Sequence, residues 1–283
     1  MSHLSNEQLA SFKETGYLVL ENVFSSEEVA AMQQEADYLL ELIFNSSRAN
    51  GRQSGRLDWR ENSSGTQVVR KIQPINDMSL QFSQASQDDR LLGPMREIMG
   101  EEPILMEEKL NYKQPLPDPV FGLEIRQAQD DFPVHNDWAY YQAQNYPQSI
   151  LSSALLLDDC TSENGPLHIW PGSQKEHLEH ENVANGLQVK PGLIDFEGGI
   201  DMIAPAGSFM IFHVLVVHNS CPNTSGRPRR IMIYSHYPES AGMQYDVRNG
   251  PTRLHEAPWE REYMRMKERG EYEDVFKAPV YGD

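Results

Sequence analysis

The sequence predicts a mainly β fold with flanking helices: a double-sheet jelly roll or a related barrel. Three observations carry this expectation. Seven segments of β type lie between residues 68 and 237, separated by clusters of Pro, Gly, Asn and Asp. They do not alternate with helices, which excludes a parallel doubly wound sheet. The two strongest helix-start signatures stand ahead of them instead of among them.

Ser5-Asn6-Glu7-Gln8 has the form of a capping box, followed by Leu9, Phe12 and a stop at Gly16. Tyr17 to Leu20 then reads as a short strand. A second box at Ser25-Ser26-Glu27-Glu28 opens a helix in which Val29, Met32, Ala36, Leu39, Leu40 and Ile43 recur at helical spacing. Residues 46–65 carry Gly51, Gly55 and Gly65 among polar residues and read as a long mobile loop. Such loops serve as lids more often than as plain connectors. Arg48, Arg52, Arg56 and Arg60 fall four apart in this loop. Their plain reading is a solvated segment; the sharper one is a lid on which an arginine such as Arg56 meets an anionic part of a substrate.

The predicted strands are Val68–Ile72, Ile104–Tyr112, Phe121–Ala128, Ile150–Leu157, Leu167–Trp170, Ser208–Val217 and Arg230–Tyr237. Pro94 to Met99, closed by Gly100, predicts a short helix, and Pro258 to Arg269, closed by Gly270, predicts another near the end. One domain over residues 1–283 is expected, with N-terminal helices in 1–45, the loop in 46–65, the β core in 66–237 and a helical tail in 238–283.

The chain has 283 residues, 42 acidic against 24 basic, and a formal charge of −18. A surface this acidic repels phosphate backbones and anionic lipid heads, so neither nucleic acid nor membrane is an expected partner. No stretch has the apolar length of a membrane span, and the opening Met1-Ser2-His3-Leu4-Ser5 lacks the regions of a signal peptide. A cytoplasmic location is expected. Two cysteines, Cys160 and Cys221, cannot build a disulfide framework or a Cys-rich zinc module. A bound metal would have to be held by His and carboxylate.

His135-Asn136-Asp137 meets that requirement. In an extended segment, residues two apart point to one side, so an imidazole and a carboxylate can face one ion. His218 follows the apolar run Phe209 to Val217, a predicted core strand that would deliver its end to a barrel mouth. Two histidines and one carboxylate leave open positions on the ion, the arrangement of non-haem Fe(II) oxygenases. Of the other histidines, His168, His177, His180, His213, His236 and His255 are read as packing or hydrogen-bonding groups. After His218 a turn rich in Pro, Gly and Asn leads to Arg227, Arg229 and Arg230 and a further strand. A hairpin here would return an arginine beside His218, and a guanidinium can grip a carboxylate with two parallel bonds while Ser220 adds a third. Alternation separates Arg229 from Arg230 without saying which points inward.

His135-Asn136-Asp137, then Glu163-Asn164-Gly165-Pro166-Leu167 running to Pro171-Gly172-Ser173, then His218 and Arg229, resemble the signature series of the phytanoyl-CoA dioxygenase family of Fe(II)/2-oxoglutarate oxygenases. The likeness spans roughly Leu4 to Tyr237, and Gly16-Tyr17-Leu18-Val19-Leu20 matches the family's opening. The resemblance implies a double-stranded β-helix, cupin-like core and iron held by His135, Asp137 and His218. It implies that Arg229, eleven residues after the second metal histidine, binds the distal carboxylate of 2-oxoglutarate with help from Ser220. Lys71 resembles a lysine that contacts this cosubstrate in some members, and Lys113 lies in another recurring segment. A carboxylate at position 137 fills the place that related halogenases leave for chloride, so hydroxylation or a related oxidation is implied.

The expected activity is therefore O2-dependent hydroxylation of a small polar metabolite, with Fe(II) and 2-oxoglutarate as cofactor and cosubstrate and succinate and CO2 as co-products. A tailoring step on a secondary metabolite or alkaloid is the first expectation. Trp138 and Tyr140, just after the His-x-Asp, and Trp170 are the expected substrate contacts. The alternatives are an acyl-CoA or fatty-acid 2-hydroxylase, and a cupin-like metal hydrolase or isomerase for which Arg229 would be dispensable. Whether the chain is a monomer or a homo-oligomer is not written in the sequence.

Overall fold

The structure, a computed structural model, describes residues 2–243 and 257–281. Helix α1 (Asn6–Thr15) starts at the Ser5 capping box and stops at Gly16, whose φ of 80° is the left-handed turn a glycine adopts freely. Strand β1 (Tyr17–Leu20) leads to α2 (Ser26–Ala49), which opens at the Ser25 box and buries Leu39, Leu40, Ile43 and Phe44 completely. Each such side chain contributes about 1.5–3 kcal/mol of transfer free energy. After it come β2 (Leu57–Glu61), β3 (Gln67–Ile72), α3 (Leu80–Ala85), α4 (Asp89–Met99), β4 (Pro103–Pro115), β5 (Arg126–Gln127), β6 (Phe132–His135) and α5 (Trp138–Tyr141). The remaining elements are β7 (Leu151–Leu156), β8 (His168–Ile169), β9 (His180–Val183), β10 (Gly186–Val189), β11 (Ile200–Asp201), β12 (Phe209–His213), β13 (His218–Ser220), β14 (Ile231–Pro238) and α6 (Pro258–Glu268).

Eight strands, in the order β1-β12-β7-β14-β4-β3-β2-β5, form the large sheet; β11-β8-β13-β6 form the small one, and β9 and β10 make a separate hairpin. Alternation explains why the central strands read as continuous apolar runs. Phe209, Ile211, Met232 and Tyr234 face a core shared with α1, α2 and α4, whereas Met210, Phe212, Ile231 and Ile233 face the small sheet and pack with Ile169. This is the jelly-roll architecture that the strand pattern predicts. Gly165, with φ of 68°, lets the 163–173 loop approach β13, because a Cβ there would sit 2.4 Å from the Cys221 carbonyl oxygen.

Four expectations are corrected. Residues 46–65 are not one loop: α2 continues to Ala49, and Leu57–Glu61 is a paired strand. Asn45 accepts the backbone N–H groups of Val275 and Phe276, and Phe44 stacks on Phe276, so a distant segment covers the end of α2. Only Arg126–Gln127 of the predicted strand 121–128 is strand, and Phe121 is exposed. The helix expected from Pro94 starts at Asp89, capped by the Asp88 carboxylate on the Arg90 N–H. Finally, the run 208–217 is not a single strand: it leaves the large sheet after His213 and rejoins the small sheet at His218. His255 lies outside the described residues.

Candidate active site

His135 ends β6 and His218 opens β13, and the two are register partners across that antiparallel pair, their ring centroids 4.4 Å apart. Asp137 stands two residues after His135, at the entrance of α5. Its Oδ1 stands 3.6 Å from Nε2 of His135 and 3.8 Å from Nε2 of His218, too far for direct hydrogen bonds. All three side chains are buried, with their donor atoms within 4.8 Å of one another. The Pro133 carbonyl lies 2.6 Å from Nδ1 of His135, and the Val216 carbonyl lies 3.0 Å from Nδ1 of His218. A proton on each Nδ1 satisfies these carbonyls and leaves the Nε2 lone pairs facing Asp137, the second-sphere arrangement that orients metal-bound imidazoles. Donor set, tautomers and separations fit one divalent cation.

Charge around the triad points the same way. Burial by itself would raise the Asp137 carboxyl, but the Lys109 ammonium and the two imidazoles hold it well below the usual carboxylate range. Burial and the neighbouring His135 push His218 down to about 4, so its ring is neutral and able to ligate. Lys109 is itself held by Glu107 at 3.1 Å, and the same Glu107 oxygen accepts the Tyr141 hydroxyl at 2.6 Å.

The triad opens into a cavity of about 650 Å³ between the two sheets. Arg229 and Ser220 line it, as the sequence predicts, but not through a hairpin: β13 and β14 belong to different sheets, and the two groups meet because the sheets face each other. Arg229 is 3% exposed. Among the described residues no carboxylate pairs its guanidinium, and its buried Nε has no hydrogen-bond partner. A buried cation without a counter-charge is a site prepared for an anion. Lys71 also lines the cavity, with Nζ 3.3 Å from the Gln73 side-chain oxygen. Lys113 does not line it. Its fully buried ammonium donates to the backbone carbonyls of Ser220 and Cys221 and so holds the end of β13.

The expected substrate contacts divide. Residues 138–141 form a helical turn instead of an extended strand, which brings Tyr140 and Tyr141 to the cavity wall and turns Trp138 away. Trp138 donates to the Tyr146 carbonyl and packs on His177. Trp170 packs with Val134, Val189 and Val217 and donates to the Asp195 carbonyl, outside the lining. Arg56 is also outside it, held by a two-point contact with Asp77 at 2.7 Å. Glu107, Lys109 and Asn111 line the cavity without having been anticipated. A partial signal was present: Glu107, Lys109 and Asn111 stand at alternate positions of one strand and so share one face, although Glu108 on the opposite face blurs the alternation.

A jelly roll holding two histidines and a carboxylate beside an unpaired buried guanidinium defines the class of the iron- and 2-oxoglutarate-dependent dioxygenases. The chain belongs to the phytanoyl-CoA dioxygenase (PhyH) family, whose pattern matches residues 12–231. It is 28% identical over 252 residues to the ectoine dioxygenase of Bordetella bronchiseptica, covering 82% of this chain and 75% of that one. It is 25% identical over 237 residues to a probable alpha-ketoglutarate-dependent hypophosphite dioxygenase of Stutzerimonas stutzeri, covering 80% and 76%. The crystal structure of EctD from S. alaskensis with 2-oxoglutarate and 5-hydroxyectoine shares the fold, with a TM-score of 0.65 and 22% identity over 91% of this chain and 89% of that one. The enzyme is thus a dioxygenase, and the hydrolase or isomerase alternative is set aside. No helix among the described residues is long and apolar enough to cross a membrane.

Proposed function

We propose that this dioxygenase hydroxylates an unactivated C–H bond of a small polar metabolite, in a tailoring step on a secondary metabolite. In this reading His135, Asp137 and His218 hold Fe(II), and Arg229 with Ser220 binds the distal carboxylate of 2-oxoglutarate. The observation that carries it is the unpaired guanidinium of Arg229 sharing one cavity with the triad. Fe(II), O2 and 2-oxoglutarate together supply the oxidising power, with succinate and CO2 as co-products. The chain's own residues orient the partners: Lys71 stands on the cavity wall as a further cation for the cosubstrate, and Lys113 fixes the backbone that carries Ser220.

The remaining wall supports a compact substrate bearing charge of both signs. Glu107 and Lys109 form one ion pair beside Asp137, and Arg60 and Arg70 converge on Asp58. Tyr140 supplies an aromatic edge against His135 at 5.6 Å. Relatives named for ectoine and for hypophosphite act on small polar molecules, in keeping with such a wall. The test is anaerobic reconstitution with Fe(II) and 2-oxoglutarate, then exposure to O2 with a panel of amino acids and other zwitterions. Succinate release with a product one oxygen heavier is the expected result. Absence of 2-oxoglutarate binding by calorimetry, together with no turnover of any candidate, would reject the proposal.

A further inference from the structure

The hairpin of β9 and β10 packs along β6, and its first residues reach the backbone between His135 and Asp137. Nδ1 of His180 lies 2.7 Å from the Leu178 carbonyl oxygen, which fixes the ring proton there and leaves Nε2 as an acceptor. That Nε2 receives the backbone N–H of Asn136 at 3.1 Å. Asn136 is completely buried, and its side chain is engaged as well. Nδ2 lies 3.2 Å from Nδ1 of His177, and Oδ1 accepts the Ala139 N–H at 3.2 Å. The His177 and His180 rings lie nearly parallel, 5.3 Å apart, and Trp138 closes on His177 edge-on at 4.7 Å.

We infer that His180 is a positioning residue of the metal centre: by accepting the Asn136 amide it sets the backbone angle between His135 and Asp137. The inference rests on the proposal that those two side chains are ligands. A buried amide must be paired, and here the only acceptor given to it by the described residues is the imidazole. Without that acceptor the peptide would rotate toward another partner. Rotation about residue 136 moves one donor atom relative to the other, and a metal site tolerates errors of only about 0.5 Å. His177 braces the same residue through its side chain, so the peptide is held from two directions. Partners of this kind outside the ligand sphere are worth about 10- to 100-fold in metal affinity.

The test uses the full chain titrated with Co(II), followed by calorimetry and by the visible d–d absorption, alongside thermal melts of the metal-free proteins. His180→Ala is expected to bind Co(II) about 10- to 100-fold more weakly, with an altered d–d spectrum, and its metal-free melting temperature should stay close to that of the wild type. His180→Gln, whose side-chain oxygen can accept the Asn136 amide, should recover most of the affinity, whereas His180→Met, similar in volume without a strong acceptor, should not. If the alanine variant does not fold, the Gln and Met variants decide. Equal Co(II) affinity and spectra in wild type, Gln and Met variants overturn the inference while leaving the metal site intact. Failure of the wild type to bind Co(II) overturns the ligand assignment and the inference with it.

Discussion

His135 and His218 face each other as register partners across β6 and β13, although 82 residues separate them in the chain. The pairing has a backbone cause. β12 ends at His213, Val214 to Val217 cross between the sheets fully buried, and the chain enters the small sheet in the one register that sets the second imidazole beside the first. Each ring is then held by a carbonyl two residues before it, of Pro133 and Val216.

Arg229→Met should abolish 2-oxoglutarate binding without weakening the fold. The guanidinium has no carboxylate partner among the described residues, so its loss strands no buried charge. Calorimetry should show affinity for 2-oxoglutarate reduced by about 100-fold or more, which equals about 2.7 kcal/mol. The melting temperature should be unchanged or higher. A large drop in melting temperature with 2-oxoglutarate affinity retained would contradict this assignment.

Arg56→Ala should behave in the opposite way. Arg56 holds Asp77 at two points and also donates to the Pro74 carbonyl, and the Asp77 side chain is only 6% exposed. Truncation leaves that carboxylate without its partner, at a cost of about 2–4 kcal/mol. Urea unfolding should show the loss, while KM for 2-oxoglutarate and for any identified substrate stays within about twofold. A raised substrate KM at unchanged stability would restore a substrate-binding role for this arginine.

Lys109 is predicted to be more costly to remove alone than together with its partner. Lys109→Met leaves Glu107 buried with, among the described residues, only the Tyr141 hydroxyl and the Gln73 amide, and should cost about 2–4 kcal/mol. Adding Glu107→Gln removes the stranded charge, so the double variant should be more stable than Lys109→Met. Denaturant midpoints of the four proteins give the coupling, and strict additivity would show that the pair does not interact.

Acid should destabilise the protein partly through His213. Its Nδ1 accepts the Leu215 N–H at 3.3 Å, and burial pushes it down to about 4. An unfolded imidazole titrates near 6.5. Between those values the unfolded chain binds a proton that the folded one refuses. Stability from this group is therefore complete above pH 6.5, declines as pH falls toward 4 and levels off below it. At pH 5 the loss is on the order of 2 kcal/mol. Urea midpoints at pH 7.5, 6 and 5 should fall less steeply for His213→Asn than for the wild type, and identical slopes would rule out His213 as a source.

Local patterns in the sequence determined the two capping boxes, the central strands and the His-x-Asp pair, because each depends on neighbours a few positions away. The family resemblance then joined His218 and Arg229 to the pair. Tertiary packing decided which charged groups meet. Arg56 and Arg229 carry the same guanidinium, yet one is consumed by Asp77 and the other is left facing a cavity. The extension of α2 to Ala49 depends on Phe276 and its backbone, more than 200 residues away, and the approach of His180 to Asn136 depends on the β9–β10 hairpin packing against β6. The physical reason is common to all of these. A side chain's own chemistry is encoded at its position, but the counter-charge or hydrogen-bond partner that it finds comes from whichever distant element the folded core brings against it.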